Sequence, residues 1–315
     1  MSGDVNGLHH VGHIVRSMNE AIELYRRLGF SVSAPVHPVL PGAAEAFGVA
    51  NAHVHFSGGF VELVAVIGDG SHLPAGTRPI PLEVPEERRA GLEAAIRVTV
   101  ANIAAFAERF EGVHIMIADT RDLDGVAARL TAGDVHHGGV HAVQRPVETG
   151  AGISMEPARY LEISDPALAP GRVPEGRIGF AENLPGGASP APVDHPNGAT
   201  GLAECVLCVD DATLPEVKRR YATYFEGPAG MGQTGVTVVA ASALGEMLPG
   251  ERPAALPAFV AYAVTVRDVA ATERLLLGNG VPVARTTDGE AFVPAGAALG
   301  TAIVFRQEGT GDSRL

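Results

Sequence analysis

Four stretches of this 315-residue chain begin in the same way, with a short apolar strand pattern running into an amphipathic helix pattern. "GLHHVGHIV" (7–15) leads into "SMNEAIELYRRLGF" (17–30), and "GLAECVLCV" (201–209) leads into "DDATLPEVKRRYATYFEG" (210–227). The offset between these strands is 201 − 7 = 194 residues. "GVHIMIAD" (112–119) leads into "RDLDGVAARLTAGDV" (121–135), and "PAFVAYAVTVRD" (257–268) leads into "VAATERLLLGNGV" (269–281). Arg121-Asp122 and Arg267-Asp268 fall at the same place after their strands. A repeat of this kind means that one small supersecondary unit is used several times and buries its apolar face against its copies.

The chain after each helix is β-rich: "FSVSAPV", "NAHVHFS" and "FVELVAVI" after the first, "GGVHAVQRPV" and "ARYLEIS" after the second, "TGVTVVAAS" after the third, and "VPVARTT", "EAFVP" and "GTAIVFRQ" after the fourth. Short alternating runs broken by Gly and Pro read as strands. The expected fold is therefore α+β, with four βαβββ modules paired into two halves. Ser17 and Glu20 form a capping box at the first helix, whose apolar face is Ile22, Tyr25 and Leu28 and whose stop is Gly29.

Two stretches interrupt the repeat. Residues 68–85 read as a loop leading into one or two helices over 86–110, an insertion placed to cover a site or an interface. Residues 166–200 are rich in Pro and Gly and read as a linker between a first half (1–165) and a second half (201–315). The composition is globular, with 46% hydrophobic and 19% charged residues. A net charge of −13 argues against nucleic-acid binding. No unbroken run of about 18 apolar residues is present. The N-terminus has no signal-peptide pattern, so a cytoplasmic protein without a membrane partner is expected. Cys205 and Cys208 lie three apart on a strand pattern, which turns them to opposite faces and makes them buried apolar residues, not a metal or disulfide pair.

The chemistry concentrates in the first half. His10 and His114 occur early in the first strands of units one and two, and Glu62 and Glu162 occur in strands that close those units. The spacings nearly match: 62 − 10 = 52 and 162 − 114 = 48. Two imidazoles and two carboxylates brought together by pseudo-twofold packing are a donor set for a divalent metal. The second half acts as a control, since His10 maps to Glu204 and the fourth unit has no His in its first strand and no acid in its last. Within "LHHVGHIV", alternation puts His10, Gly12 and Ile14 on one face and His9, Val11 and His13 on the other, so His9 and His13 are expected to pack. His53, His55, His141 and Arg145 are further candidates for binding substrate, each pair sharing a strand face.

"LHHVGHIV" with "AIELYRRLGF", and "HPNGATGLAECVLCVDD" (195–211), resemble the opening strands and helices of the vicinal oxygen chelate superfamily, which holds glyoxalase I, methylmalonyl-CoA epimerase and extradiol dioxygenases. The resemblance implies two glyoxalase-like halves, with His10, Glu62, His114 and Glu162 as metal ligands. Extradiol dioxygenases typically keep their iron site in the second half, which here lacks ligands; the His/Glu/His/Glu set is closer to that of bacterial glyoxalase I. The implied cofactor is nickel, zinc, cobalt or manganese, or Fe(II) for a dioxygenase.

The expected function is a metal-dependent isomerase or epimerase. Glu62 or Glu162 would move a proton beside a carbonyl through an enediolate, on a small polyhydroxy ketone such as a ketocyclitol. The alternatives are an Fe(II) ring-cleaving dioxygenase and a non-enzymatic protein that sequesters a ligand. By resemblance the chain is expected to form a homodimer, with a small-molecule substrate as its other partner.

Overall fold

The computed structural model describes residues 5–39, 48–67, 76–82, 85–149, 152–183, 193–225 and 235–309. The first unit is β1 (Val5–Ile14), α1 (Met18–Arg27), β2 (Val36–Val39), β3 (Gly48–His55) and β4 (Phe60–Ile67). A short strand β5 (Arg78–Pro81) and the long helix α2 (Glu86–Arg109) come next. The second unit is β6 (Gly112–Thr120), α3 (Leu123–Ala132), β7 (His141–Thr149), β8 (Gly152–Glu162) and β9 (Arg177–Asn183). The third contains β10 (Ala199–Val209), α4 (Leu214–Phe225) and β11 (Val236–Ala240), then a one-turn helix α5 (Leu244–Met247). The fourth is β12 (Ala258–Val266), α6 (Val269–Gly278), β13 (Ala284–Arg285), β14 (Ala291–Val293) and β15 (Ala302–Gln307).

The strands form two sheets of a mixed α+β fold. One has nine strands in the order β5-β2-β3-β4-β1-β6-β9-β8-β7, the other six in the order β11-β10-β12-β15-β14-β13. In each unit the first strand pairs in parallel with a later one: β1 with β4, β6 with β9, β10 with β11 and β12 with β15. The two first strands of each half meet antiparallel, β1 on β6 and β10 on β12.

The duplication extends to the irregularities. Pairing of β1 with β6 shifts register at Val5/Gly7, Leu8/His10 and Gly12/His13. Pairing of β10 with β12 shifts at Ala199/Gly201, Leu202/Glu204 and Val206/Leu207. Adding 194 to each position of the first set gives the second. A β-bulge inserts an unpaired residue and re-aims side chains, and these shifts decide the site below.

The helix caps agree with the sequence. Ser17 Oγ accepts from the Glu20 amide, and Asp122 and Asp268 side chains accept from the amides of Gly125 and Ala271 at the starts of α3 and α6. The main core cluster draws on both sheets and on α1, α3, α4 and α6, with Tyr25, Phe30, Phe180, Tyr221, Tyr262 and Phe305 buried in it. Each such side chain contributes roughly 1.5–3 kcal/mol by leaving water. Cys205 and Cys208 are buried in separate core clusters.

Three expectations are corrected. The stretch 166–200 is not all linker, because β9 lies within it, so the first half does not end at residue 165. The strand closing unit two is β9, which leaves Glu162 at the end of the penultimate strand. Residues 30–35 are not a strand; β2 begins at Val36. Helix α2 is a single helix, and Glu87–Arg109 is long and apolar enough by length and composition to cross a membrane. Its Ile103 and Phe106 are buried against Ile14, Val64, Ile115 and Ile117 of β1, β4 and β6. It therefore roofs part of one face of the nine-stranded sheet.

Candidate functional site

The site grows from register. His53 stands opposite Glu62 across β3 and β4, and Glu62 stands opposite Gly12 across β4 and β1. Directly opposite residues in a sheet share a face, which puts Glu62 beside His53 on one side and the bare Gly12 on the other. His10 Nε2 lies 4.0 Å from Glu62 Oε2, and His53 Nε2 lies 3.8 Å from Glu62 Oε1. Asn51 Nδ2 donates to Glu62 Oε1 at 2.7 Å. Phe60 forms the floor beside them, with the His10 ring stacked on it at 4.6 Å. Gly12 carries no side chain where a Cβ would meet Ile115 at 2.7 Å, so the glycine is needed for β1 and β6 to pack on this face.

The electrostatics come from burial and neighbours. Burial pushes the Glu62 carboxyl up, but the His53 ring, His10 and the Arg177 guanidinium together outweigh it and hold it below the usual carboxylate range. Burial, reinforced by His9, pushes His10 down to about 3 against the pull of Glu62, so its imidazole is neutral at pH 7.

Arg177, the first residue of β9, is the group that sequence reading missed. Its Nε donates to Glu162 Oε1 at 2.6 Å, and its Nη2 closes on the same oxygen. Burial lowers the Arg177 pKa, but Glu162 outweighs it and keeps the guanidinium charged. Arg177 and Glu162 also line a cavity of about 300 Å³ under α2. Its other walls include Thr99, Asn102 and Phe106 from the helix and His141, Tyr160 and Ser164 from the sheet side. The only sequence signal for β9 was the short run "RIGFA" inside a segment dominated by Pro and Gly.

The expected ligands do not all meet. His10 and Glu62 face each other, and His53 joins them. Glu162 is held by Arg177. His114 is elsewhere: its fully buried ring packs on Phe106 and Phe110, and its Nε2 donates to the Phe110 carbonyl at 2.9 Å. The cause is the register shift between β1 and β6. Gly12 pairs Ile115 while His13 pairs Val113, so His114 is skipped and does not repeat the position of His10. Among the described residues no three His, Cys, Asp or Glu are placed to hold a metal ion. With one expected imidazole buried elsewhere and a guanidinium bound to one expected carboxylate, these residues do not fit the four-ligand centre.

The other candidates divide. His55 stacks on His53 at 5.2 Å. His141 is exposed, stacks on Tyr160 and lines the cavity. Arg145, on β7 opposite Glu156, is not among the lining residues. His13 packs as expected, fully buried. His9 does more than pack, because its Nδ1 lies 2.8 Å from Nδ1 of His10. In the second half the place of His10 is taken by Glu204, which Arg306 and Thr237 bind, so that face is closed on itself.

The fold is that of the vicinal oxygen chelate superfamily. The glyoxalase-like domain model matches residues 8–225, more than two-thirds of the chain, and the chain belongs to that family. Among solved structures it is similar to a Mn(II)-bound glyoxalase from Novosphingobium aromaticivorans, with 10% identity, a TM-score of 0.52, and 98% of this chain and 83% of that one covered. It is also similar to a mutant of 4-hydroxymandelate synthase from Streptomyces coelicolor, with 14% identity, a TM-score of 0.53, and coverage of 96% and 92%. A hypothetical protein from Staphylococcus aureus has 8% identity, a TM-score of 0.53, and coverage of 96% and 99%. These likenesses are of fold. No curated protein matches.

Proposed function

We propose that the protein is an isomerase or epimerase that moves a proton on the carbon beside a carbonyl of a small hydroxylated ketone. The observation that carries this reading is Glu62: a carboxylate among Asn51, His10 and His53, held ionised in part by the charge of Arg177. Arg177 lines a cavity of small-molecule size, although Glu62 and His10 are not among that cavity's lining residues. Glu62 takes the proton as the C–H bond breaks. The electron pair forms the enediolate C=C bond, and the carbonyl oxygen takes up the charge. Arg177 stabilises that oxygen. Its Nε and Nη2 hold Glu162, which leaves Nη1 for a ligand. Neutral His10 is the partner that exchanges a proton with the enediolate oxygen. Return of the carbon-bound proton to the opposite face is epimerisation, and its return to the neighbouring carbon is isomerisation. A placed acid–base pair contributes roughly 10²–10⁴-fold.

The cavity supports a neutral substrate, because the charge of Arg177 is balanced by Glu162. Asn102, Thr99, Ser164 and His141 offer hydrogen bonds to hydroxyl groups, and Phe106 offers an apolar wall.

The test is C–H to C–D exchange in D₂O over a panel of hydroxyketones and ketocyclitols, read by NMR. Exchange by the wild type and a drop of at least about 10²-fold in Glu62→Gln are expected. Absence of exchange across the panel, with and without added divalent metals, defeats the reading. Oxygen uptake with a catechol and Fe(II) would establish the dioxygenase instead, and tight binding of an unaltered ligand the sequestering role.

A further inference from the structure

Adjacent residues on a regular strand point to opposite faces. His9 and His10 do not, because at this point β1 carries one more residue than β6: Leu8 pairs Ala118 and His10 pairs Ile117. The bulge turns the two imidazoles toward each other, edge to face at 5.1 Å and 69°, with their Nδ1 atoms 2.8 Å apart. His9 is 9% exposed and packs its ring edge-on against Phe60, on which His10 is stacked. Its other nitrogen, Nε2, lies 3.1 Å from Asn183 Nδ2 at the end of β9.

Between two neutral imidazoles at this distance only one Nδ1 can carry the hydrogen; two lone pairs or two hydrogens would repel. The Asn183 amide decides which. Its Nδ2 donates to His9 Nε2, so His9 carries its hydrogen on Nδ1 and donates it to His10 Nδ1. His10 then carries its hydrogen on Nε2, the atom 4.0 Å from Glu62. The run Asn183, His9, His10 ends in one N–H beside the carboxylate.

We propose that His9 is a positioning residue that fixes the tautomer of His10, so that a single Nε2–H is presented to Glu62 and the substrate oxygen. This rests on the proton-transfer reading above for its role, but not for its geometry. His9 touches neither substrate nor base and acts through the ring of His10. The place of His10 in the second half is Glu204, and the residue before it there is Ala203, so the paired imidazoles belong to the first half alone.

The test is nitrogen-15 NMR of the side chains in the full-length protein at pH 7. In the wild type His10 is expected as one species with Nε2 protonated and Nδ1 bare. In His9→Phe, which keeps a ring against Phe60 and removes both nitrogens, His10 becomes a mixture of tautomers. Its exchange kcat falls roughly ten- to hundredfold with KM within about twofold. His9→Asn, whose Nδ2 stands where Nδ1 did, restores the single tautomer and most of kcat. A wild-type His10 protonated on Nδ1, or an unchanged tautomer in a folded His9→Phe, overturns the proposal. If the wild type shows the expected tautomer but exchanges no C–H, the functional reading falls and the positioning of His10 stands.

Discussion

Arg177 and Glu162 face each other across neighbouring strands of the second unit, the guanidinium Nε 2.6 Å from the carboxylate. A fixed cation thus stands where a second metal-binding pair was expected. Because Arg177 supplies the positive pole, Arg177→Ala is expected to lower kcat/KM for C–H exchange by about 10²–10³-fold, the usual effect of removing one oxyanion donor. Glu162→Gln leaves Arg177 unbalanced and should shift binding from neutral hydroxyketones toward their carboxylate-bearing analogues. Competition by a paired set of neutral and anionic inhibitors checks this; an unchanged preference would show that Arg177 does not face the ligand.

The repeated strand–helix openings and the covering helix were legible in the sequence, because periodicity is a local signal; the strand that closes unit two was not. Glu62 was legible for the same reason, as a carboxylate inside an apolar strand. His114 misled because equal spacing assumes equal register, and one skipped residue in β6 moves it out of the row that holds His10. His9 misled through the matching bulge in β1. Arg177 was hidden because β9 comes after a Pro/Gly-rich stretch, and a short strand there gains its definition only from pairing with β6 and β8.

Asn51 is expected to assist the ionisation of Glu62 beside His53, His10 and Arg177. Its amide donates to Oε1 at 2.7 Å and favours the ionised form. In Asn51→Leu one hydrogen bond to the ionised form is lost, and the carboxyl pKa should rise from its lowered position toward the ordinary value while His53, His10 and Arg177 still act. The acidic limb of the pH profile of kcat/KM should move to higher pH, with activity at alkaline pH retained. A limb that stays in place would mean that Glu62 is not the base.

His114 is expected to matter for stability and not for metal. It is fully buried between Phe106 and Phe110. Truncation to Ala should cost about 2–4 kcal/mol in urea unfolding, as for other large-to-small core changes. Metal content of the purified variant should equal that of the wild type under the same growth conditions. A loss of bound metal without a loss of stability would restore it as a ligand.

Tyr25 joins the halves of the molecule. Its hydroxyl lies 2.9 Å from that of Tyr262, in the second half, and 2.8 Å from His13 Nδ1, while His13 Nε2 donates to the Leu299 carbonyl at 2.8 Å. With Nε2 donating, Nδ1 accepts from Tyr25, which in turn accepts from Tyr262. Tyr25→Phe removes the central hydroxyl and strands two buried partners, at an expected cost of about 1–3 kcal/mol. Tyr262→Phe removes only the last donor and should cost less, since Tyr25 still bonds His13. Equal losses in the two variants would contradict this direction of donation.

The same buried histidines contribute, with His10, to the acid response of the fold. Burial pushes both His13 and His114 down to about 4, against about 6.5 in the unfolded chain. Between those values the unfolded chain binds protons that the native state does not, so stability rises with pH across this window. Their contribution is complete above about pH 6.5 and is lost as the pH falls toward 4. From pH 6 to pH 5 the two together should remove about 2 kcal/mol of unfolding free energy. Urea titrations at a series of pH values measure the slope. His13→Gln, neutral throughout, should flatten it by a third or less, since His10 is also held well below its ordinary value, even though the variant is less stable overall; a slope unchanged in that variant would assign the acid sensitivity to other groups.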